Sequence, residues 1–168
     1  FVDGKLIPSS KTMVVKSIQY IIHFNDHFFF IGPYEGPSGV YDDNFNLVAS
    51  WQGPAGFYNS IYQDYRDRIF ICTQLGLKEV DFTKPGFALK DVVEIPFDAY
   101  WKNWSVTSVI VTKDNDMWIG TNKGLVHLRS DQTWTVLTDQ DGLLSNQISA
   151  LFIDKSHTLW IGTDAGAA

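Results

Sequence analysis

The stretch MWIGTNKG, Met117 to Gly124, recurs almost unchanged as LWIGTDAG, Leu159 to Gly166. Each reads as a buried strand running into a turn, and a chain that writes this twice invites a search for further copies. With Trp118 and Trp160 as anchors, the same frame continues backwards to Phe70 in RIFICTQLG and Phe30 in FFFIGPYEGPSG. The residue after each anchor is Ile31, Ile71, Ile119 and Ile161, and nine positions before it stand Ile21, Ile61, Val109 and Leu151. A glycine follows six positions after three anchors, at Gly76, Gly124 and Gly166. In the first copy it is displaced to Gly39 by a three-residue insertion that includes Tyr34 and Glu35. The anchors stand 40, 48 and 42 residues apart, a period typical of stacked or radially arranged repeat units.

Each unit has the same contents. A short apolar run (IQYIIHF, SIYQDY, TSVIVTK, SALFID) precedes a polar turn (NDH, RDR, DND, KSH), and the anchor run follows. That run holds adjacent apolar residues such as MWI or LWI, which means both faces of its strand are covered. A glycine-led run comes next (GLKEVDF, GLVHLRS), then a fourth such as TWTVLT, with turn residues between them. The pattern predicts four short antiparallel strands per unit and no helix. Four strands in roughly 40–45 residues make a β-propeller blade, so the expected fold is all-β, a propeller fragment. Each blade is a twisted sheet between two neighbours. The anchor is expected to fill the gap between sheets, and the glycine to permit close packing or a positive backbone angle at the turn into the third strand.

The expected blades span about 18–52, 57–95, 105–138 and 148–168, the last cut short, with residues 1–7 as a remnant of a preceding blade. Closed propellers hold roughly four to eight blades. The ring is therefore expected to be completed by the rest of a longer protein, by a nicked partner chain or by self-association. A start at Phe1 fits a mature or trimmed piece of something longer.

Composition agrees with an all-β reading: 15% of residues are aromatic, and such side chains suit half-buried pleated surfaces. With 45% hydrophobic and 19% charged residues, a packed core is expected. The net charge of −6 argues against nucleic acid and against docking on an anionic membrane. No apolar run reaches the roughly 18 residues of a spanning helix, so this segment is not expected to insert in a membrane. Cys72 is the single cysteine, which leaves no internal disulfide and no thiolate cluster.

DGLLSNQISALFIDKSHTLWIGTDAG, Asp141 to Gly166, closely resembles the two-component regulator propeller repeat: a DGL-x-S-N segment, an apolar strand, an Asp-containing turn and L-W-I-G-T-x-x-G-L. SVIVTKDNDMWIGTNKGLVHL, Ser108 to Leu128, is similar to the same repeat. The copies at Phe70 and Phe30 are degenerate, with Cys72 in place of the first glycine and Pro33 in place of the threonine. The resemblance implies a piece of the extracytoplasmic, periplasmic sensor region of a bacterial signalling receptor. Such regions precede a membrane span and an output module such as a histidine kinase, a diguanylate cyclase or a DNA-binding domain. In some gut bacteria the family's ligands are polysaccharide breakdown products. The implied partners are thus a small-molecule or oligosaccharide ligand and the rest of the receptor.

Propeller ligands generally sit at one channel end, held by blade-to-blade loops and by the loop between second and third strands. Here these are roughly 8–17, 33–38, 52–60, 96–105 and 139–147. In PFDAYWKNWS, Pro96 to Ser105, Tyr100, Trp101 and Trp104 could offer an aromatic face to a sugar ring; alternatively the tryptophans plug a blade junction. Tyr34 and Glu35 lie in the one lengthened loop, where function is often grafted, although a neutral insertion explains them as well. Tyr58 and Asn59, like Asn146 and Gln147, enter innermost strands near the channel mouth, with Asn146 favoured as a cap of the turn after Asp141-Gly142. The candidate ligand residues are therefore Tyr34, Glu35, Tyr58, Asn59, Tyr100, Trp101, Trp104 and Gln147.

Catalytic and metal chemistry find little support. Asp114-Asn115-Asp116 lacks the full 12-residue calcium loop and reads as a strand-connecting turn. His23, His27, His127 and His157 show no ligand spacing. G-x-S-x-G, a phosphate loop and a hydrolytic carboxylate pair are all missing from the sequence. Cys72, in a buried strand, reads as packing. No cofactor is expected. A non-catalytic sensor leads; a propeller enzyme of lyase or glycosidase type and a protein-interaction scaffold are the alternatives.

Overall fold

The computed structural model describes residues 18–24, 28–33, 38–42, 44, 46–51, 58–83, 88–92 and 104–168. Tyr34, Glu35, Tyr100, Trp101 and residues 1–7 lie outside the described residues. Regular structure within them is β-strand apart from one 3-10 turn, Asp139–Asp141. The chain divides into two compact units, Phe1–Gly56 and Phe57–Ala168.

The first unit holds one sheet, β1 (Ile18–Phe24), β2 (Phe28–Pro33), β3 (Ser38–Asp42) and β4 (Leu47–Trp51), in that order. The second unit holds three. These are β5 (Tyr58–Gln63), β6 (Ile69–Thr73), β7 (Gly76–Asp81) and β8 (Ala88–Asp91); β9 (Val106–Val111), β10 (Met117–Thr121), β11 (Gly124–Leu128) and β12 (Trp134–Leu137); and β13 (Ile148–Ile153), β14 (Leu159–Thr163) and β15 (Gly166–Ala167). All neighbours are sequential and antiparallel, so every sheet is a meander.

Register explains the repeated columns. The residue after each anchor pairs across strands with the residue nine positions before the anchor: Ile21 with Ile31, Ile61 with Ile71, Val109 with Ile119, Leu151 with Ile161. Directly opposed residues share a face. Each blade of the second unit thus carries an anchor face and an isoleucine face.

The two kinds of face meet. Phe70 and Cys72, on the anchor face of β6, are fully buried against Val109, Val111, Met117 and Ile119 of the next sheet, with Leu77, Val126 and Leu128 completing the cluster. Gly120 is crowded from two sides: a Cβ there would clash first with Ser108 Oγ of its own sheet and come within 2.7 Å of Ile148 Cγ2 of the next. Its glycine is required by crowding from Ser108 and from the next blade together, whereas Gly76, Gly124 and Gly166 are required by φ values of 118°, 133° and 131°. Trp118 is half-buried, not enclosed as Phe70 is. Its indole stacks on His127 of the neighbouring strand at 3.9 Å and 3°, and the sheet set against it has three strands, leaving the outer part of this face open.

The same hairpin closes the first two strands of all three blades. Asp64, Thr112 and Asp154 each receive a backbone bond three residues on, and Asp67, Asn115 and His157 adopt φ of 60°, 66° and 64°. Asp, Asn and His are the non-glycine residues that most readily take the left-handed region. The Asp154 carboxylate also accepts the Ser156 and Thr158 amides and the Trp160 indole Nε1 at 2.9 Å. Trp160 foremost, with those amides, holds the Asp154 carboxyl below the usual carboxylate range.

Candidate functional site

The turn after each anchor strand is built by W-I-G-T-x-x-G chemistry. Thr73, Thr121 and Thr163 each donate their hydroxyl to the carbonyl of the following glycine, at 2.8, 2.7 and 2.8 Å. Each also accepts an amide two residues on, from Leu75, Lys123 and Ala165. The turn is thereby locked, with its two intervening residues between the paired strands. These are the variable positions of the repeat: Gln74-Leu75, Asn122-Lys123 and Asp164-Ala165.

The blade-to-blade loop after β12 is equally knit. Asp141 Oδ2 accepts from the backbone amide and hydroxyl of Thr138, and Asn146 Oδ1 accepts the Asp139 amide at 2.7 Å while its Nδ2 donates back to Asp139 Oδ1. Gly142 closes the turn at φ 103°. The DGL-x-S-N segment is therefore a self-bonded loop, with Asn146 clamping its start.

Between these two kinds of loop lies a cleft of ≈ 610 Å³, lined by Trp104, Asn122, Lys123, Val136, Thr138, Asp139, Gln140 and Asn146. It opens at the end of the blade where strand-two-to-three turns and blade-to-blade loops come together. Trp104, 7% exposed, belongs to the core beneath it. Asn122 ties the cleft to that core, since its Oδ1 accepts the Ser105 amide and its own amide donates to the Ser105 carbonyl. Lys123, Asp139 and Gln140 are exposed on the rim. The lining thus combines an indole, amides, a hydroxyl and one charge of each sign, a set suited to a polar, hydrogen-bonding ligand.

The sequence candidates are dispersed. Trp104 lies in the cleft. Tyr58 is buried at the start of β5. Asn59 holds two blades together: its Nδ2 donates to Ser105 Oγ at 2.7 Å and to the Val106 carbonyl at 2.6 Å. Gln147 is exposed, with its carbonyl accepting the Asp164 amide. Asn122, Lys123, Thr138, Asp139 and Gln140 were not among the candidates, and Asn146, although placed near the channel mouth, was favoured as a cap. The available signal was the variable pair inside T-x-x-G, because constant flanks around a changing dipeptide mark a presented loop.

Other reactive groups are quiet. Burial pushes the Cys72 thiol up to about 12, so it stays protonated within the blade interface. Among the described residues no three His, Cys, Asp or Glu side chains converge as a metal site would require.

Residues 142–165, which include Asn146 of the cleft, match the family model of the two component regulator propeller. The last repeat is similar to the two component regulator propeller repeat. Among solved structures, the extracellular domain assigned to the hybrid two component system BT3049 of B. thetaiotaomicron is similar at TM-score 0.71 and 16% identity, over 89% of this chain and 21% of that one. The extracellular domain assigned to BT4673 of the same organism is similar at TM-score 0.67 and 23% identity, again over 89% of this chain and 21% of that one. A streptogramin B lyase shares the architecture at TM-score 0.59 and 11% identity, over 87% of this chain and 48% of that one. These likenesses show a β-propeller fold, and the chain spans about a fifth of the two extracellular domains. No curated protein matches the chain.

Proposed function

We propose that the chain is a non-catalytic sensor segment of a bacterial signalling receptor. It lies on the periplasmic side of the membrane and binds a small polar ligand, of oligosaccharide type, in the cleft between Trp104 and the loop after β12. One observation carries this reading: the repeat that matches the two component regulator propeller model also supplies Asn146 to the cleft. The family's signalling role and a polar cleft thereby fall on the same loop. The rest of the receptor is its partner. Among the described residues no helix is long and apolar enough to cross a membrane.

A thermal-shift screen of neutral and acidic oligosaccharides tests the proposal. A ligand at a hundredfold excess over Kd stabilises by about 2.7 kcal/mol. Lys123→Ala and Gln140→Ala should remove the shift without lowering the unliganded midpoint, because both side chains are exposed. Silence across the panel, or shifts indifferent to both substitutions, would overturn the cleft assignment. The likeness to a propeller lyase keeps one rival in view: turnover of a panel sugar, read as new unsaturated or reducing ends, would replace the sensor by an enzyme.

A further inference from the structure

The cleft beside Trp104 holds polar groups of two kinds, those already spent inside the fold and those left over. Asn146 is spent at both ends, its Oδ1 accepting the Asp139 amide and its Nδ2 donating to Asp139 Oδ1. The Thr138 hydroxyl is given to Asp141 Oδ2, and Asn122 Oδ1 is taken by the Ser105 amide. The Lys123 ammonium, the Gln140 side-chain amide and the second oxygen of Asp139, Oδ2, have no partner among the described residues. We infer that these left-over groups select an acidic saccharide, with its carboxylate or sulfate on Lys123 and its hydroxyls on Asp139 Oδ2 and Gln140. The inference rests on the cleft being the ligand site.

The chemistry of the groups sets the polarity of the ligand. An ammonium has three donors and no acceptor, whereas an ionised carboxylate only accepts. Ligand atoms at Lys123 must therefore be acceptors, and those at Asp139 must be donors. A bare inorganic anion satisfies the first demand and is repelled by the second. A neutral sugar satisfies Asp139 and Gln140 but draws no ion-to-ion bond from Lys123. An acidic sugar meets both demands, and charge-assisted bonds are about twice as strong as neutral ones.

The two walls hold these charges apart. Lys123 belongs to the turn between β10 and β11, which the Thr121 hydroxyl locks through the Gly124 carbonyl and the Lys123 amide. Asp139 opens the loop after β12, where Asn146 clamps it. Among the described residues no ion pair joins Lys123 to a carboxylate, so its charge is offered to the cleft. The other carboxylate of that loop, Asp141, is committed to the amide and hydroxyl of Thr138. Blade packing does not call for the cation: Leu75 and Ala165 stand at its position in the other two T-x-x-G turns.

Isothermal titration of the full chain with a uronic acid disaccharide, its methyl ester and a sulfated neutral disaccharide tests this. At least one acid should bind about tenfold tighter than the ester, and that advantage should shrink as salt rises. Lys123→Gln should bring the acid down to the level of the ester and leave the ester where it was, while Lys123→Arg should keep the preference. Gln140→Ala should weaken acid and ester alike. Either acid satisfies the site, and their ratio tells carboxylate from sulfate. An ester that binds as tightly as both acids, yet still responds to Gln140→Ala, overturns the acidic specificity and leaves the cleft in place. So does a preference that survives Lys123→Gln. Binding of none of the three overturns the cleft as ligand site, and the acidic specificity with it.

Discussion

Phe70 and Trp160 occupy the same position of the repeat, on the same strand of their blades, with the same isoleucine after them. Phe70 is wholly buried and Trp160 is half exposed. The difference lies in what faces them. Phe70 meets Val109, Met117 and Ile119 of the next sheet, while the face bearing Trp160 and Phe152 is open. A repeat motif therefore encodes half an interface. Its energy is realised only when the complementary half arrives, so identical local sequence supports very different local stability.

The largest expected effect follows directly. Phe70→Ala removes a fully enclosed ring and should cost about 3–5 kcal/mol in urea unfolding. Trp160→Ala should cost only about 1 kcal/mol, since it loses a half-exposed ring and its hydrogen bond to Asp154. Equal costs would break the comparison, because the two faces would then be energetically alike. Trp118, half-buried against His127, should fall between them.

A second contrast separates backbone strain from crowding. Gly76 and Gly124 hold φ of 118° and 133°, which an L side chain adopts only under strain. An added Cβ at Gly76 meets open space, but at Gly124 it would stand 2.6 Å from the Leu137 carbonyl oxygen. Gly76→Ala should cost about 1–3 kcal/mol from backbone strain alone. Gly124→Ala should cost a further 1 kcal/mol or so as the neighbouring strand is pushed aside. Matching unfolding midpoints for the two variants would show that β11 and β12 yield freely.

The blade-to-blade hydrogen bonds offer a smaller version of the same test. Thr107→Val removes the donation to the Ile148 carbonyl and should cost about 1 kcal/mol. Ser149→Ala, at the equivalent place on the open face, should be neutral in dilute solution. A Ser149→Ala penalty as large as that of Thr107→Val would mean that the open face is already occupied.

The fold was legible because packing between blades imposes columns: the anchor, its following isoleucine and that isoleucine's cross-strand partner must all be apolar in every copy. The turn glycines were legible for a similar reason, since their φ values admit little else. The cleft was much less so. Asn122 and Lys123 sit at the two positions of T-x-x-G that change from copy to copy, so only that variability, and no motif or spacing, marked them. Asn59 shows the converse: a polar residue at an innermost strand suggested ligand contact, but its amide holds the next blade through Ser105 and Val106. Asn146 was read as a cap, and it both caps Asp139 and lines the cleft. Sequence cannot separate those duties, because one amide can serve a loop's interior and its surface at once. His127 was discounted as a strand residue for want of ligand spacing. Its ring against Trp118 and its contact with Asp116 arise only once strand register is known.

That contact gives the smallest expected effect. The Asp116 carboxylate accepts the Ser130 amide at 2.9 Å and lies 3.0 Å from His127 Nε2, across a hairpin that carries the stacked Trp118. The Ser130 N–H first, and His127 after it, hold the Asp116 carboxyl below its ordinary range. A depressed folded-state pKa stabilises the fold above the unfolded value of about 3.9, and that contribution disappears as pH falls through the lower folded value. Asp116→Asn should therefore be less stable than wild type at pH 7, with the gap narrowing only below about pH 4. Asp154→Asn, whose carboxylate instead holds the exposed Trp160 indole, should show the same sign. Urea midpoints across the acid range separate the two faces. A gap that does not narrow as pH falls would show that the hydrogen bonds to that carboxylate contribute nothing to stability.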